Sequence, residues 1–270
     1  MEHINLEGIL NTLIFFSVGC FAIFRGTAKW RRKRAMKQLA YELDCEYTHG
    51  SDSLLTVFGK FLTLQDGYRP ALTSILTRNE GDQKIVICDL TYVRYDRLKN
   101  MVKGAYRHRT FIAITQPGMT LPHFYVRPET NMDKMREMFS GPLEAFEQFK
   151  EGIHVGTGER FTELGEHINR PPAFNAWINK DEIKLPHARH FSDKHWIKGN
   201  DREAALNFLS GPIIKSIEAD PGLIWEGFES TFLLSQTTNH IHHKDIGRCI
   251  NVAQSFIQTA LTASKSNSDS

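Results

Sequence analysis

The chain has 270 residues, 41% hydrophobic and 24% charged, which is enough apolar content for a packed domain and too much for a disordered segment. Its formal charge of +2 hides an asymmetry: seven cations fall between Arg25 and Lys37, and setting them aside leaves −5 on the remainder. A mildly acidic remainder argues against a nucleic-acid binder that coats phosphates over a broad basic surface. Four cysteines (Cys20, Cys45, Cys88, Cys249) without a CxxC pair read as free thiols in a reducing compartment.

Ile9 to Phe24 is an apolar run with no charged residue between Thr12 and Phe24. At 1.5 Å per residue it covers about 24 Å of a hydrocarbon core near 30 Å, and Ile4, Leu6 and the stem of Arg25 extend it. A cleaved signal peptide carries its positive charge before the apolar stretch. Here Glu2 and Glu7 precede it, and the collar Arg25, Lys29, Arg31, Arg32, Lys33, Arg34 and Lys37 follows, with Trp30 at interfacial depth. Its short length also suits a buried or interfacial helix, but the apolar residues surround the helix instead of forming one stripe. The run predicts a single transmembrane helix over 9–24 with residues 1–8 outside, and the basic side marks the cytoplasm. The expected location is therefore the inner (plasma) membrane, N-terminus out, main domain in.

A basic juxtamembrane helix is expected over 25–44, with Met36, Leu39, Ala40 and Leu43 as its apolar positions and no Gly or Pro from Ala28 to Leu43. A break follows from Cys45, and Asp52 or Ser53 caps a short helix through Phe58, stopped by Gly59. Period-two segments Leu72 to Arg78 and Lys84 to Val93 read as strands turning at Asn79 to Asp82; Thr110 to Thr115 and Phe124 to Val126 read as two more, joined through Gln116, Pro117 and Gly118. Short connections predict an antiparallel meander. Asn131 to Lys150 reads as one or two helices broken at Gly141 and Pro142, with Met132, Met135, Met138 and Phe139 as a stripe; a loop-rich insertion occupies about 140–189. Beyond it are expected a strand Phe191 to Ile197, and a helix from Arg202, capped by Asn200 or Asp201 and kinked at Pro212. Strands Leu223 to Phe228 and Thr231 to Ser235 and a closing helix from His242 to Ala263 complete the pattern. The whole is an α+β fold: a transmembrane helix, then a domain over 45–263 with a mostly antiparallel sheet and flanking helices, and a frayed tail over 264–270.

The basic collar after an apolar run, the "FGKF" of Phe58 to Phe61, the "ICDLTYV" of Ile87 to Val93 and the "LPHFYVRPE" of Leu121 to Glu129 resemble a family of uncharacterised bacterial single-pass membrane proteins. So does the later order of strand, helix, two strands and helix. The resemblance covers most of 38–130 and 190–262. It implies a bacterial inner-membrane setting and a shared cytoplasmic α+β fold, and no activity.

The densest charge in the domain is the connection carrying Arg94, Arg97, Lys99, Lys103, Arg107 and Arg109, opposed by Asp96 and interleaved with Tyr95, Met101, Val102 and Tyr106. Held at an inner leaflet, such a loop can press on anionic headgroups; the bland reading is a solvated face. His187, His190 and His195, and then His240, His242 and His243, form two loose clusters without the thiolate or carboxylate spacing of a metal site. No metal or other cofactor is expected. No GxSxG, Cys-His or glycine-rich phosphate pattern occurs, so the sequence leans away from an enzyme. Two functions stand: a membrane-anchored binding or scaffolding module contacting anionic lipid or a membrane partner, and a membrane-tethered hydrolase whose histidine and carboxylate converge only in the fold.

Overall fold

The computed structural model describes residues 27, 29–65, 68–96, 101–130, 182–236 and 240–268. The apolar run 9–24, Arg25, Arg97, Lys99 and the segment 131–181 with its methionine stripe lie outside the described residues. No described helix is long and apolar enough to cross a membrane.

Helix α1 (29–42) forms where expected and buries Met36, Leu39 and Ala40. It closes through two backbone bonds, Leu43 N to Leu39 O (2.9 Å) and Cys45 N to Ala40 O (2.8 Å), with Asp44 left-handed at φ 51°. The chain then enters an edge strand, β1 (Glu46–His49), which the sequence did not announce because its largely exposed side chains lack alternation. Helix α2 (Asp52–Phe58) is capped by Ser51, one residue earlier than predicted, whose Oγ accepts from Leu54 N at 3.2 Å. A single turn, α3 (Leu62–Gln65), follows.

The strands β2 (Tyr68–Glu80), β3 (Gln83–Asp96), β4 (Met101–Thr115) and β5 (Leu121–Pro128) are longer than their period-two segments. After the undescribed segment come α4 (Arg189–Ser192), β6 (His195–Gly199), α5 (Arg202–Phe208) and α6 (Gly211–Glu218). β7 (Leu223–Glu229), β8 (Thr231–Gln236) and α7 (Ile246–Ser268) close the fold.

The strands form one eight-stranded sheet in the order β1-β2-β3-β4-β8-β7-β5-β6, every neighbouring pair antiparallel. The α+β class and the antiparallel sheet are as the sequence predicted. The meander, however, stops at β4. The β7–β8 hairpin inserts between β4 and β5, pairing Ile112 with Leu234 on one side and Val126 with Trp225 on the other. Three strand spacings make about 14 Å, and a five-residue connector reaches that far when extended at about 3.3 Å per residue. Residues 116–120 strap across the hairpin tip, with Gln116 N donating to Ser230 O at 2.9 Å. A short connection therefore did not mean adjacent strands.

Two further expectations are corrected. Phe191 belongs to the helical turn α4, closed by Asp193 N to Arg189 O (2.9 Å), and this turn stacks Phe191 on His195 at 4.2 Å; the strand begins only at His195. Pro212 does not kink a helix but opens a new one, α6, as suits a residue whose missing N–H has no partner in a first turn.

Alternation divides the sheet into two faces. Ile85, Ile87, Ile112 and Ile114 pack with α1, α5, α6 and α7, whereas Val86, Cys88, Leu90, Phe111 and Ala113 pack with Phe58, Phe61 and Leu64 from α2 and α3. On the first face Gly227 makes room for an aromatic ring: a Cβ there would stand 2.3 Å from Phe124 Cε1, and Phe124 stacks on Phe208 at 4.9 Å.

Candidate functional site

The inward face of α1 begins one turn before Met36, at the half-buried Arg32, which shares that face with Met36 and Leu39. Asp89 follows Ile85 and Ile87 on the same face of β3, and Thr110 precedes Ile112 on β4, so a polar group stands where the apolar strip ends. Arg32 Nε donates to Asp89 Oδ2 at 2.9 Å, and Nη2 donates to Oδ1 at 2.8 Å and to Thr110 Oγ1 at 2.9 Å. Its Nη1 donates to Ile241 O at 3.0 Å, which ties in the chain ahead of α7.

Thr110 donates its one hydroxyl hydrogen to Asp89 Oδ1 at 2.6 Å. His240 Nδ1 lies 3.0 Å from Thr110 Oγ1 and 3.1 Å from Asp89 Oδ1, and as neither oxygen has a hydrogen left to give, Nδ1 is the donor. The His240 ring stacks on His108 at 5.3 Å, and His108 Nδ1 contacts Thr91 Oγ1 at 3.1 Å. Burial pushes the Asp89 carboxyl up, but hydrogen bonds from His240 and Arg32 and the Arg32 charge outweigh it, holding it well below the usual carboxylate range. Arg32 thus leaves the expected collar: its charge is committed to the sheet interior.

A second buried carboxylate lies on the opposite face. Glu226 accepts from Leu62 N, and from Thr63 N at 3.0 Å, holding α3 against the sheet, while His123 Nε2 stands 3.8 Å from it. Arg109 Nη1 donates to Thr63 O at 3.2 Å, and its guanidinium stands 5.7 Å from the Tyr92 ring.

The predicted basic loop is therefore corrected. Its ends are strand, with β3 running to Asp96 and β4 starting at Met101, and Arg109 is buried in the anchoring of α3. Arg94 and Lys103 occupy strand positions, and Arg107 is exposed. Of the collar, Lys29, Trp30, Arg31, Lys33, Arg34 and Lys37 are exposed. α1 runs antiparallel to β3, because Arg32 meets Asp89 while Leu43 O accepts from Arg78, the partner of Ile85. The start of α1 and the outer arms of the β3–β4 hairpin therefore share one end of the domain.

The first histidine cluster disperses, while in the second His240 turns to Asp89 and the His242 and His243 rings stay 4.3 Å apart. His187 Nε2 contacts Leu209 O at 2.9 Å and His195 Nδ1 contacts Phe191 O at 3.0 Å. Among the described residues no group of three candidate ligands is placed to hold a metal. A cleft of about 330 Å³ lies at the far end of β4, lined by Met119, Leu121, Phe208 and Leu261, and its lining includes neither Asp89 nor His240. Sequence reasoning overlooked the Asp89 group and Glu226; the one local signal was an acidic residue at an inward position of an otherwise apolar strand.

No family model and no curated protein matches the chain. The mycobacterial trehalose monomycolate transport factor A, TtfA, is similar at a TM-score of 0.43 and 10% identity, over 86% of this chain and 93% of that one. A likeness of that size carries no conclusion.

Proposed function

We propose that this is a membrane-anchored binding module of the bacterial inner membrane, held by the apolar run 9–24, with its main domain in the cytoplasm. The observation that supports it best is the Arg32–Asp89 ion pair. The basic helix that follows the apolar run is part of the domain and not a loose tether, so an anchor at 9–24 would hold the sheet close to the bilayer. The hairpin arms bearing Arg94, Lys103 and Arg107 extend from the end where α1 begins, and they are the contact surface for an anionic headgroup or membrane partner.

A second reading, a membrane-tethered hydrolase, draws on the 3.1 Å approach of His240 to a buried carboxylate. It is the weaker one, because Arg32 already occupies both Asp89 oxygens, and Thr110, the hydroxyl beside His240, is fully buried and out of a substrate's reach. Hydrolysis of ester or phosphoester probes by the purified chain, abolished in His240→Gln, would reverse that order.

The anchor is tested on the full chain. Carbonate-resistant membrane association is expected, with a fluorescent reporter active after Ser270 and a periplasmic phosphatase reporter inactive there; the opposite pattern overturns the topology. For the hairpin, backbone amides of 91–96 and 101–108 should exchange more slowly in anionic than in neutral lipid discs, an effect lost at high salt and in the Arg94→Glu, Lys103→Glu, Arg107→Glu triple variant. Equal exchange in both lipids removes the headgroup contact and leaves the protein partner.

A further inference from the structure

The face of α1 turned away from the sheet carries Trp30, Arg34, Lys37 and Tyr41. At 3.6 residues per turn these four positions fall within an arc of about 60°, opposite the half-buried Arg32 and the buried Met36, Leu39 and Ala40. Trp30 is 59% exposed and Tyr41 90% exposed, and with Val57 they are the large hydrophobic side chains left exposed among the described residues. Arg34 is exposed beside them, its guanidinium 5.4 Å over the Trp30 ring, and Lys37 is exposed at the edge of the stripe, its ammonium 5.5 Å from the Tyr47 ring of β1. The stripe is therefore not core, and it sets two large aromatic side chains and two cations along one exposed face.

We infer that this stripe is the docking face for an anionic phospholipid surface, so that α1 lies along the bilayer instead of standing on it, which leaves the hairpin arms to the membrane partner and not to the headgroups. The inference rests on the membrane-anchored reading. Charge decides the class of occupant. Apart from Arg32, spent on Asp89, α1 presents Lys29, Arg31, Lys33, Arg34 and Lys37 against the single carboxylate of Glu42, which Gln38 engages at 2.8 Å. A second copy of the same stripe would meet like charge. A headgroup layer supplies anions together with the interfacial depth that tryptophan and tyrosine favour. Proximity points the same way, as the apolar run ends at Phe24 and Trp30 follows six positions later in the chain.

Posture separates lipid from the alternatives. Trp30 and Tyr41 are about 16 Å apart along the axis, so an upright helix would lift Tyr41 out of reach of headgroups screened over about 8 Å. A recumbent one brings both into contact.

The test places the photo-crosslinker p-benzoylphenylalanine at Trp30, at Tyr41 and, as a control on α2 across the sheet, at Val57, in the full chain reconstituted into phosphatidylglycerol or phosphatidylcholine vesicles and in cells. Lipid adducts are expected at positions 30 and 41 and not at 57, several-fold stronger in phosphatidylglycerol and reduced by salt. With the crosslinker at position 41, the double variant Arg34→Glu/Lys37→Glu should lose the adduct while staying carbonate-resistant and folded, since both side chains are exposed. An adduct at 30 alone, a protein adduct at 41, or none at either position while the chain stays membrane-bound overturns the inference and leaves the anchor intact. A chain absent from membranes overturns the anchor itself.

Discussion

Arg32 and Asp89 meet through two parallel hydrogen bonds, Nε to Oδ2 at 2.9 Å and Nη2 to Oδ1 at 2.8 Å, although 57 residues separate them in the chain. The pair joins the basic helix to the third strand at the point where the apolar packing between them stops. Such a pair fixes geometry more than it stabilises, since desolvation consumes much of the Coulomb gain, but removing one partner strands the other. Asp89→Ala leaves the guanidinium, the Thr110 hydroxyl and His240 Nδ1 without their shared acceptor, and should cost about 3 kcal/mol of unfolding free energy. Arg32→Ala should cost a comparable amount. In a denaturation cycle on the solubilised full chain, the double variant should lose about 1–3 kcal/mol less than the sum of the singles. Simple additivity would mean that the two side chains do not act together.

The same carboxylate predicts an acid limit. Its folded pKa is depressed, so its contribution is fully present above the unfolded aspartate value of about 3.9 and is lost as pH falls below that value toward the folded one. The stability difference between the native chain and Asp89→Asn should shrink as pH falls below about 4. Denaturation midpoints across that range measure it, and the subtraction cancels distant carboxylates. A difference that grew in acid would contradict the assigned direction.

What the sequence made legible follows from the range of the interactions involved. α1, α2, the β2–β3 hairpin and the β7–β8 hairpin are set by local periodicity and turn residues, and each was readable within a few residues of its ends. The insertion of β7–β8 between β4 and β5 depends on contacts across more than a hundred residues, such as Ile112 with Leu234, and connection length alone misled. Arg32 and Arg109 illustrate the same limit for function. Each sits in a run of cations whose average property is exposure, yet each is the member whose position along its helix or strand turns it inward. Composition sees the run; only the partner, Asp89 or the Thr63 carbonyl, identifies the exception.

Gly227 gives a packing prediction. Phe124 lies against its α-carbon, so Gly227→Ala forces the ring away from Phe208 and out of an aromatic group that includes Phe256, 6.1 Å from Phe124. The expected loss is about 1–3 kcal/mol from overpacking, read as a lower denaturation midpoint without change of slope. Phe124→Leu, which vacates part of the ring's volume, should recover some of the loss when combined with it. No recovery would mean that the backbone of β7, and not the ring, is what resists a side chain.

Glu226 tests how the second face is built. Both of its oxygens accept backbone N–H groups from the first residues of α3, Leu62 and Thr63, in a fully buried position, while Arg109 holds the Thr63 carbonyl from β4. Glutamine is nearly isosteric but offers one acceptor, and its amide nitrogen would face an N–H it cannot accept from. Glu226→Gln should therefore cost about 2 kcal/mol, with the local signature that the Leu62 and Thr63 amides exchange faster by a larger factor than amides in the centre of β3. Arg109→Lys removes the planar donor on the same turn and should loosen those two amides as well, with less global cost because the carboxylate stays bound. If both variants lowered global stability while leaving the two amides protected, α3 would be held by the packing of Phe61 and Leu64 alone, and the carboxylate would be a consequence of the fold instead of its fastening.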